Sequence, residues 1–373
     1  MPTWNSTNGA HLPGIWETPE TLLPTLDFMR DHNIQYLFPT ALTLSKEGKF
    51  AINSIYLTYL HQFMKTIQDY EESPRSQGKT FKVLPVISAC FKQENTDEYF
   101  DLSNEEVEAE AVKSIKQFLV PDIEGSYITG MPRGFDGVQF NVAGSSAADD
   151  GEDNTYDFEI LKRFVREIRS TSGKITSLAT PKLGGTWASS RFYYAALYVD
   201  MLVPMCYNSS CQTAEEYQAF MKDQVYDILR AVAGKYARNH GRPNGVKVLF
   251  GFPCFPDGED VGKHNSAAEN IAAAAKGAVD GVNKLVEEGD DSLEFADGAS
   301  LYTSTDGKGK DGYSTKNDMD DFGKLWIRYG QPPEDTKPNP PKDGGGEDNS
   351  KMPLVTVVVA AVLLVCAWMI AVG

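Results

Sequence analysis

The sequence predicts an α/β chain folded as a single-domain (β/α)8 TIM barrel, and three observations carry that expectation. Short β-type runs alternate with helical stretches along most of the chain, the order that gives a parallel sheet wrapped by helices. There are eight such runs, most of them followed by a helical stretch, as a closed barrel requires. No glycine-rich phosphate loop follows the first run, which counts against the competing doubly wound open sheet. At 373 residues, the chain also exceeds the roughly 250 residues that one barrel needs.

In chain order, the predicted strands are His11–Trp16, Gln35–Leu42, Lys82–Ser88, Gly134–Val142, Lys174–Ala179, Met201–Tyr207, Val246–Phe252 and Gly298–Tyr302. Each is a short run of β-branched, aromatic or other apolar residues bounded by turn formers. Helical periodicity marks Pro19–Asp31, Ile52–Glu72, Asn104–Leu119, Tyr156–Ser170, Thr213–Ala237 and Ala267–Glu288, with Lys316–Tyr329 as the last helix. Chemistry in a barrel sits at the C-terminal ends of the strands. That rule selects Trp16 and Glu17, Cys90 and Phe91, Asn141 to Gly144, Pro181, Tyr207 and Asn208, Cys254 and Phe255, and Tyr302 to Asp306.

Composition narrows the function classes. Hydrophobic residues make up 41% of the chain and charged residues 23%, enough apolar material for a large core. A net charge of −17 argues against nucleic acid as a partner, because phosphate contacts need clustered Lys and Arg. No Cys or His spacing suggests zinc, so no metal or cofactor is expected. Four cysteines, Cys90, Cys206, Cys211 and Cys254, precede the apolar tail that holds Cys366. They suit two disulfides in an oxidising compartment, with Cys206 and Cys211 closing a small loop, or else reduced thiols buried in core strands. Among the histidines only His11 lies in a predicted strand, at its start, and no Ser/His/Asp or Cys/His constellation emerges.

The segment Phe135-Asp-Gly-Val-Gln-Phe-Asn-Val-Ala143 resembles the fourth-strand signature of family 18 glycoside hydrolases, Asp-Gly-x-Asp-x-Asp-x-Glu. Asp200-Met-Leu-Val-Pro-Met-Cys-Tyr-Asn208 resembles that family's sixth-strand Met-x-Tyr-Asp motif. Ile175–Pro181 and Val246–Pro253 resemble its fifth- and seventh-strand segments, and the order holds over about residues 10–330. The resemblance implies a chitinase-like barrel acting on β-1,4-linked N-acetylglucosamine polymers by a substrate-assisted route. In that route the final Glu protonates the leaving oxygen, the Asp two residues earlier holds the acetamido group, and the sixth-strand Tyr helps position it.

The departures fall on the residues that do this chemistry. Asp136 is kept, but the middle acid is Gln139, the acetamido-orienting Asp is Asn141, and the proton donor is Ala143. Positioned acid catalysis is worth about 10²–10⁴ in rate, and an alanine methyl has no proton to give. The third strand's usual Ser-x-Gly-Gly ending reads Ser88-Ala-Cys-Phe91, and the eighth-strand Trp under the sugar appears as Tyr302. No catalytic residue is therefore assigned. Asn141, Tyr207, Asn208, Tyr302 and Trp16 are the expected ligand-binding residues, with Trp187 a further stacking candidate, for a chitin-like oligosaccharide or related glycan. The alternatives are a surface scaffold, or a divergent glycosidase with relocated carboxylates drawn from Glu17, Asp306 or the acidic loop Asp149, Asp150, Glu152 and Asp153. Asn5 and Asn208 match the N-glycosylation pattern.

The C-terminus adds a membrane signal. Met352 to Gly373 holds no charged residue, and Leu354 to Val372 is almost wholly apolar, about the length that crosses a bilayer. Gly344, Gly345 and Gly346, a polar spacer and this tail follow the order of a GPI-anchor signal with Gly344 as the attachment site. Residues 1–30 show no charged region followed by an apolar one. Either the N-terminus is incomplete, or the tail is an anchor whose barrel faces the cytosol; cell-surface GPI anchoring is the favoured expectation. The expected organisation is a barrel domain over 1–330, a Pro/Gly/acidic linker over 331–351 and a hydrophobic segment over 352–373.

Overall fold

The computed structural model describes residues 7–12, 18–50, 52–90, 102, 104–143, 158–185, 187–237, 243–254, 265–302 and 320–327. Its strands are β1 (Asn8–Leu12), β2 (Ile34–Thr43), β3 (Lys82–Val83), β4 (Val86–Cys90), β5 (Gly137–Ala143), β6 (Ile175–Pro181), β7 (Met201–Met205), β8 (Lys247–Pro253) and β9 (Ala296–Tyr302). The helices are α1 (Pro19–Asp31), α2 (Ser54–Glu72), α3 (Glu105–Leu119), α4 (Phe158–Ser172), α5 (Ser189–Ala196), α6 (Ala214–Val232) and α7 (Ile271–Glu288). All described residues fall in one compact unit, Met1–Tyr329. The linker and hydrophobic segment expected beyond residue 330, including Gly344, lie outside the described residues.

Every strand pairing is parallel, and β1 pairs with β2 on one side and β9 on the other, which closes the sheet. β3 and β4 are two pieces of one barrel position. Pro85 lacks an N–H and interrupts the ladder between them, yet the Leu84 N–H donates to Leu37 O and the Gln139 N–H to Pro85 O, so the path stays continuous. Counting that pair once gives the eight strands of a (β/α)8 barrel.

Alternation along the strands splits the apolar residues into two cores. Tyr36, Phe38, Leu84, Val86, Met201, Val203 and Leu249 fill the barrel interior. Their strand neighbours Leu37, Val83, Val138, Phe140, Leu178, Leu202, Val248 and Phe250 join the larger core between sheet and helices. Gly137 has a steric reason to be glycine: a Cβ there would sit 2.2 Å from the Ile175 carbonyl oxygen on the neighbouring strand. Helix starts follow local chemistry, with Asn53, Asn104 and Asn270 capping α2, α3 and α7 and a Thr213/Glu216 capping box opening α6.

Three expectations shift. The first strand begins at Asn8, three residues before the predicted His11, because its inward position beside Phe38 is taken by Gly9, which carries no hydrophobic signal; the predicted part from 13 to 16 lies outside the described residues. Helix α5 was not foreseen; at eight residues it is too short for a periodic pattern to stand out. Within the last predicted helix, the described residues form a π-helical turn over Phe322–Ile327, fixed by Trp326 Nε1 donating to Asn8 Oδ1 at 2.8 Å.

Candidate ligand site at the barrel mouth

The fourth-strand signature lies on β5, and its inward residues climb the barrel in order. Gln139 is fully buried, Asn141 is half-buried, and Ala143 is the next position on the same face, paired in register with Cys90. The side chains of Ala143 and Cys90 lie outside the described residues. Asp136 stands below the strand, away from the mouth. Its carboxylate accepts from the Val83 N–H at 2.9 Å and from Arg133 at 2.8 Å, and pairs with Lys82 at 3.1 Å. Its work is to join β3 to β5.

Beneath the mouth a polar chain crosses the barrel. The Gln139 amide donates to Ser177 Oγ at 3.4 Å, which leaves its Oε1 to accept from His11 Nε2–H at 2.7 Å. His11 Nδ1 then faces Ser300 Oγ at 3.5 Å. Burial holds the imidazole well below its ordinary range, at about 4, with the Gln139 and Leu301 contacts offsetting part of the shift. The centre of the barrel is thus neutral: an amide stands where the family's middle acid would be, bound to an uncharged histidine. The sequence placed His11 in a strand but gave no hint of its partner, 128 positions away.

On β7, Met201 and Val203 face the barrel interior, and Tyr207, two residues beyond the strand, has only 8% of its surface exposed. Asn208 and Ser210 both adopt left-handed backbone conformations, at φ 54° and 67°. Asn208 tolerates this region better than serine does. The turn is pinned from several sides. Lys182 Nζ donates to Asn208 O at 2.8 Å, Tyr217 O–H donates to Cys206 O at 2.5 Å, and Asn265 Nδ2 donates to Cys211 O at 3.3 Å. The Asn208 and Ser209 N–H groups donate to the buried Glu269 carboxylate at 2.9 and 2.5 Å. Asn208 Oδ1 is buried and has no hydrogen-bond partner among the described residues.

The structure therefore brings Asn141, Tyr207 and Asn208 to one end of the barrel. The Tyr302 side chain, Trp16, Glu17, Asn5, Asp306 and the acidic loop from Asp149 to Asp153 lie outside the described residues. Two expectations are corrected. Trp187 does not face the mouth; it is buried in the core between sheet and helices, edge-on to Phe192 at 5.3 Å. Cys206 and Cys211 form no disulfide and are free thiols. The Cys206 thiol points into the core between sheet and helices, where burial raises its pKa to about 12. Among the described residues no group of His, Cys, Asp and Glu is arranged to hold a metal ion.

No family model matches the chain, and no curated protein matches it in sequence. Solved structures do share its fold. The xylanase-A-amylase inhibitor protein XAIP-III superposes with a TM-score of 0.51 at 14% identity, covering 87% of this chain and 98% of that one. The Bacillus cereus spore cortex-lytic enzyme SleL gives 0.48 at 13% identity over 86% and 74% of the two chains. The family 18 chitinase ChiB of Flavobacterium johnsoniae gives 0.42 at 10% identity over 86% and 94%. The chain folds as a (β/α)8 barrel. At these identities the likeness is one of fold, and function has to be argued from the site.

Proposed function

We propose that this protein is a chitinase-like barrel without hydrolytic activity that binds an N-acetylglucosamine-type oligosaccharide at its mouth, tethered to a membrane through its C-terminal segment. The single observation that carries the reading is the signature strand itself. Its alternate positions are Gln139, Asn141 and Ala143, so an amide remains where an acetamido group would be held and a methyl group replaces the acid. Asn141 can donate to and accept from an amide-bearing sugar, but it cannot stabilise the positive charge that develops when that group attacks. Tyr207, at the same end of the barrel, supplies a ring and a hydroxyl, the usual pairing of apolar face and polar handle for a sugar.

Retention on chitin beads, read together with the products formed from a soluble chitin hexasaccharide, tests the proposal. Retained protein, lost on Tyr207→Ala or Asn141→Ala, with the hexasaccharide recovered intact, is the expected outcome; shortened products would refute it. The tether rests on the uncharged Met352–Gly373 segment. No helix among the described residues is long and apolar enough to cross a membrane, and that segment lies outside them. Release of the full-length protein from cells by a phosphatidylinositol-specific phospholipase is expected for a GPI anchor, and retention would point to a spanning tail.

A further inference from the structure

Glu269 is only 1% exposed, and a carboxylate is costly to bury without compensation. It lies just before Asn270, the N-cap of α7, in the connection that follows β8. Its two oxygens accept from the Asn208 N–H at 2.9 Å, the Ser209 N–H at 2.5 Å and the Ser209 hydroxyl at 2.6 Å. All three donors belong to the turn after β7, sixty positions away in sequence. Ser209 Oγ passes the restraint on by accepting from the Cys211 N–H at 3.2 Å. Left-handed residues at 208 and 210 do not persist in a turn unless the surroundings over-determine them. A buried anion collecting successive backbone N–H groups does so, because hydrogen bonds to an ionised acceptor are about twice as strong as neutral ones. The carboxylate thus fixes the backbone next to Tyr207 and, with Lys182 holding the Asn208 carbonyl at 2.8 Å, ties together the tops of three adjacent strands.

We propose that Glu269 is the positioning residue of the ligand site: it reaches no ligand, but holds the Asn208–Ser209 turn so that Tyr207 and Asn208 meet an oligosaccharide in one fixed geometry. This inference rests on the function proposed above. It goes beyond that function in assigning the positioning of the ligand-binding turn to a buried acid on a different loop.

The test compares the full-length protein with Glu269→Gln, Glu269→Ala and Ser209→Ala by two readouts, affinity for chitin hexasaccharide and amide exchange at Asn208 and Ser209 relative to β5. The inference predicts that Glu269→Ala speeds exchange at both amides and weakens binding about 100-fold. Glu269→Gln keeps one acceptor oxygen and is predicted to recover part of that loss, to about 10-fold. Ser209→Ala leaves the carboxylate in place, is predicted to weaken binding a few-fold, and serves where Glu269→Ala fails to fold. Unchanged exchange in Glu269→Gln would show that the carboxylate does not hold the turn. Faster exchange with unchanged affinity would show that the turn's position does not matter to the ligand; either result overturns the inference while leaving the proposed function standing. Absence of binding by the unaltered protein overturns both.

Discussion

Acidification offers the sharpest quantitative check on the barrel centre. The His11 imidazole is fully enclosed, donates to Gln139 at 2.7 Å, and has its pKa lowered from 6.5 to about 4. The unfolded chain takes up a proton as the pH falls below about 6.5, while the folded protein refuses it until about pH 4. The unfolded state binds more protons across that window, so stability rises with pH there. The contribution is fully present above the unfolded value and is lost progressively as the pH falls to the folded one. A shift of this size corresponds to about 3 kcal/mol by pH 4, of which about 2 kcal/mol is gone by pH 5. Asp27 and Asp290, whose pKa values are lowered from 3.8, act mainly below this window. Denaturant midpoints measured from neutral pH downward, in the unaltered protein and in His11→Gln, isolate the effect. His11→Gln keeps an uncharged donor for Gln139 and should flatten the slope between about pH 6.5 and 4.5. Equal slopes in the two proteins would refute the neutral, enclosed histidine.

Three further outcomes follow from the same geometry. Gly137→Ala places a Cβ 2.2 Å from the Ile175 carbonyl and should cost about 3 kcal/mol by chemical denaturation, the upper part of the usual range for overpacking. In the native protein a thiol reagent at mildly alkaline pH should modify the partly exposed Cys211 well before the buried Cys206, whose pKa is raised to about 12; peptide mapping reads the order. Restoring the signature acids with Gln139→Asp, Asn141→Asp and Ala143→Glu together should bring hydrolysis of a chitin oligosaccharide at least about 100-fold above the unaltered protein, the low end of what a positioned acid contributes.

The barrel was legible because alternation and helical periodicity are local signals, clear in Val246–Phe252 or Thr213–Ala237. Local patterning failed where local chemistry was silent. Gly9 hid the first strand because its role is to make room for Phe38. Trp187 looked like a sugar platform, since an aromatic residue just after a strand reads the same whether it faces the mouth or packs under a helix. Asn141 and Tyr207 are candidates through the resemblance of their segments to the family 18 strand motifs. His11 and Glu269 carry no such signal, since their meaning lies in partners on distant segments, Gln139 for one and Ser209 for the other. A histidine or glutamate in a sequence carries no mark of being buried. Closure of the sheet brings β1 against β9, and the pairing of β7 with β8 brings the connection after β8 against the turn after β7.

Calorimetric titration of the full-length protein with chitin hexasaccharide tests the central claim most directly, because a single experiment reports both binding and turnover. The account predicts a saturable curve whose heat returns to baseline after each injection, as expected for a site that holds the sugar at Asn141 and Tyr207 but has Ala143 in place of the acid. Sustained heat from continuing hydrolysis, or no binding at all, would contradict it.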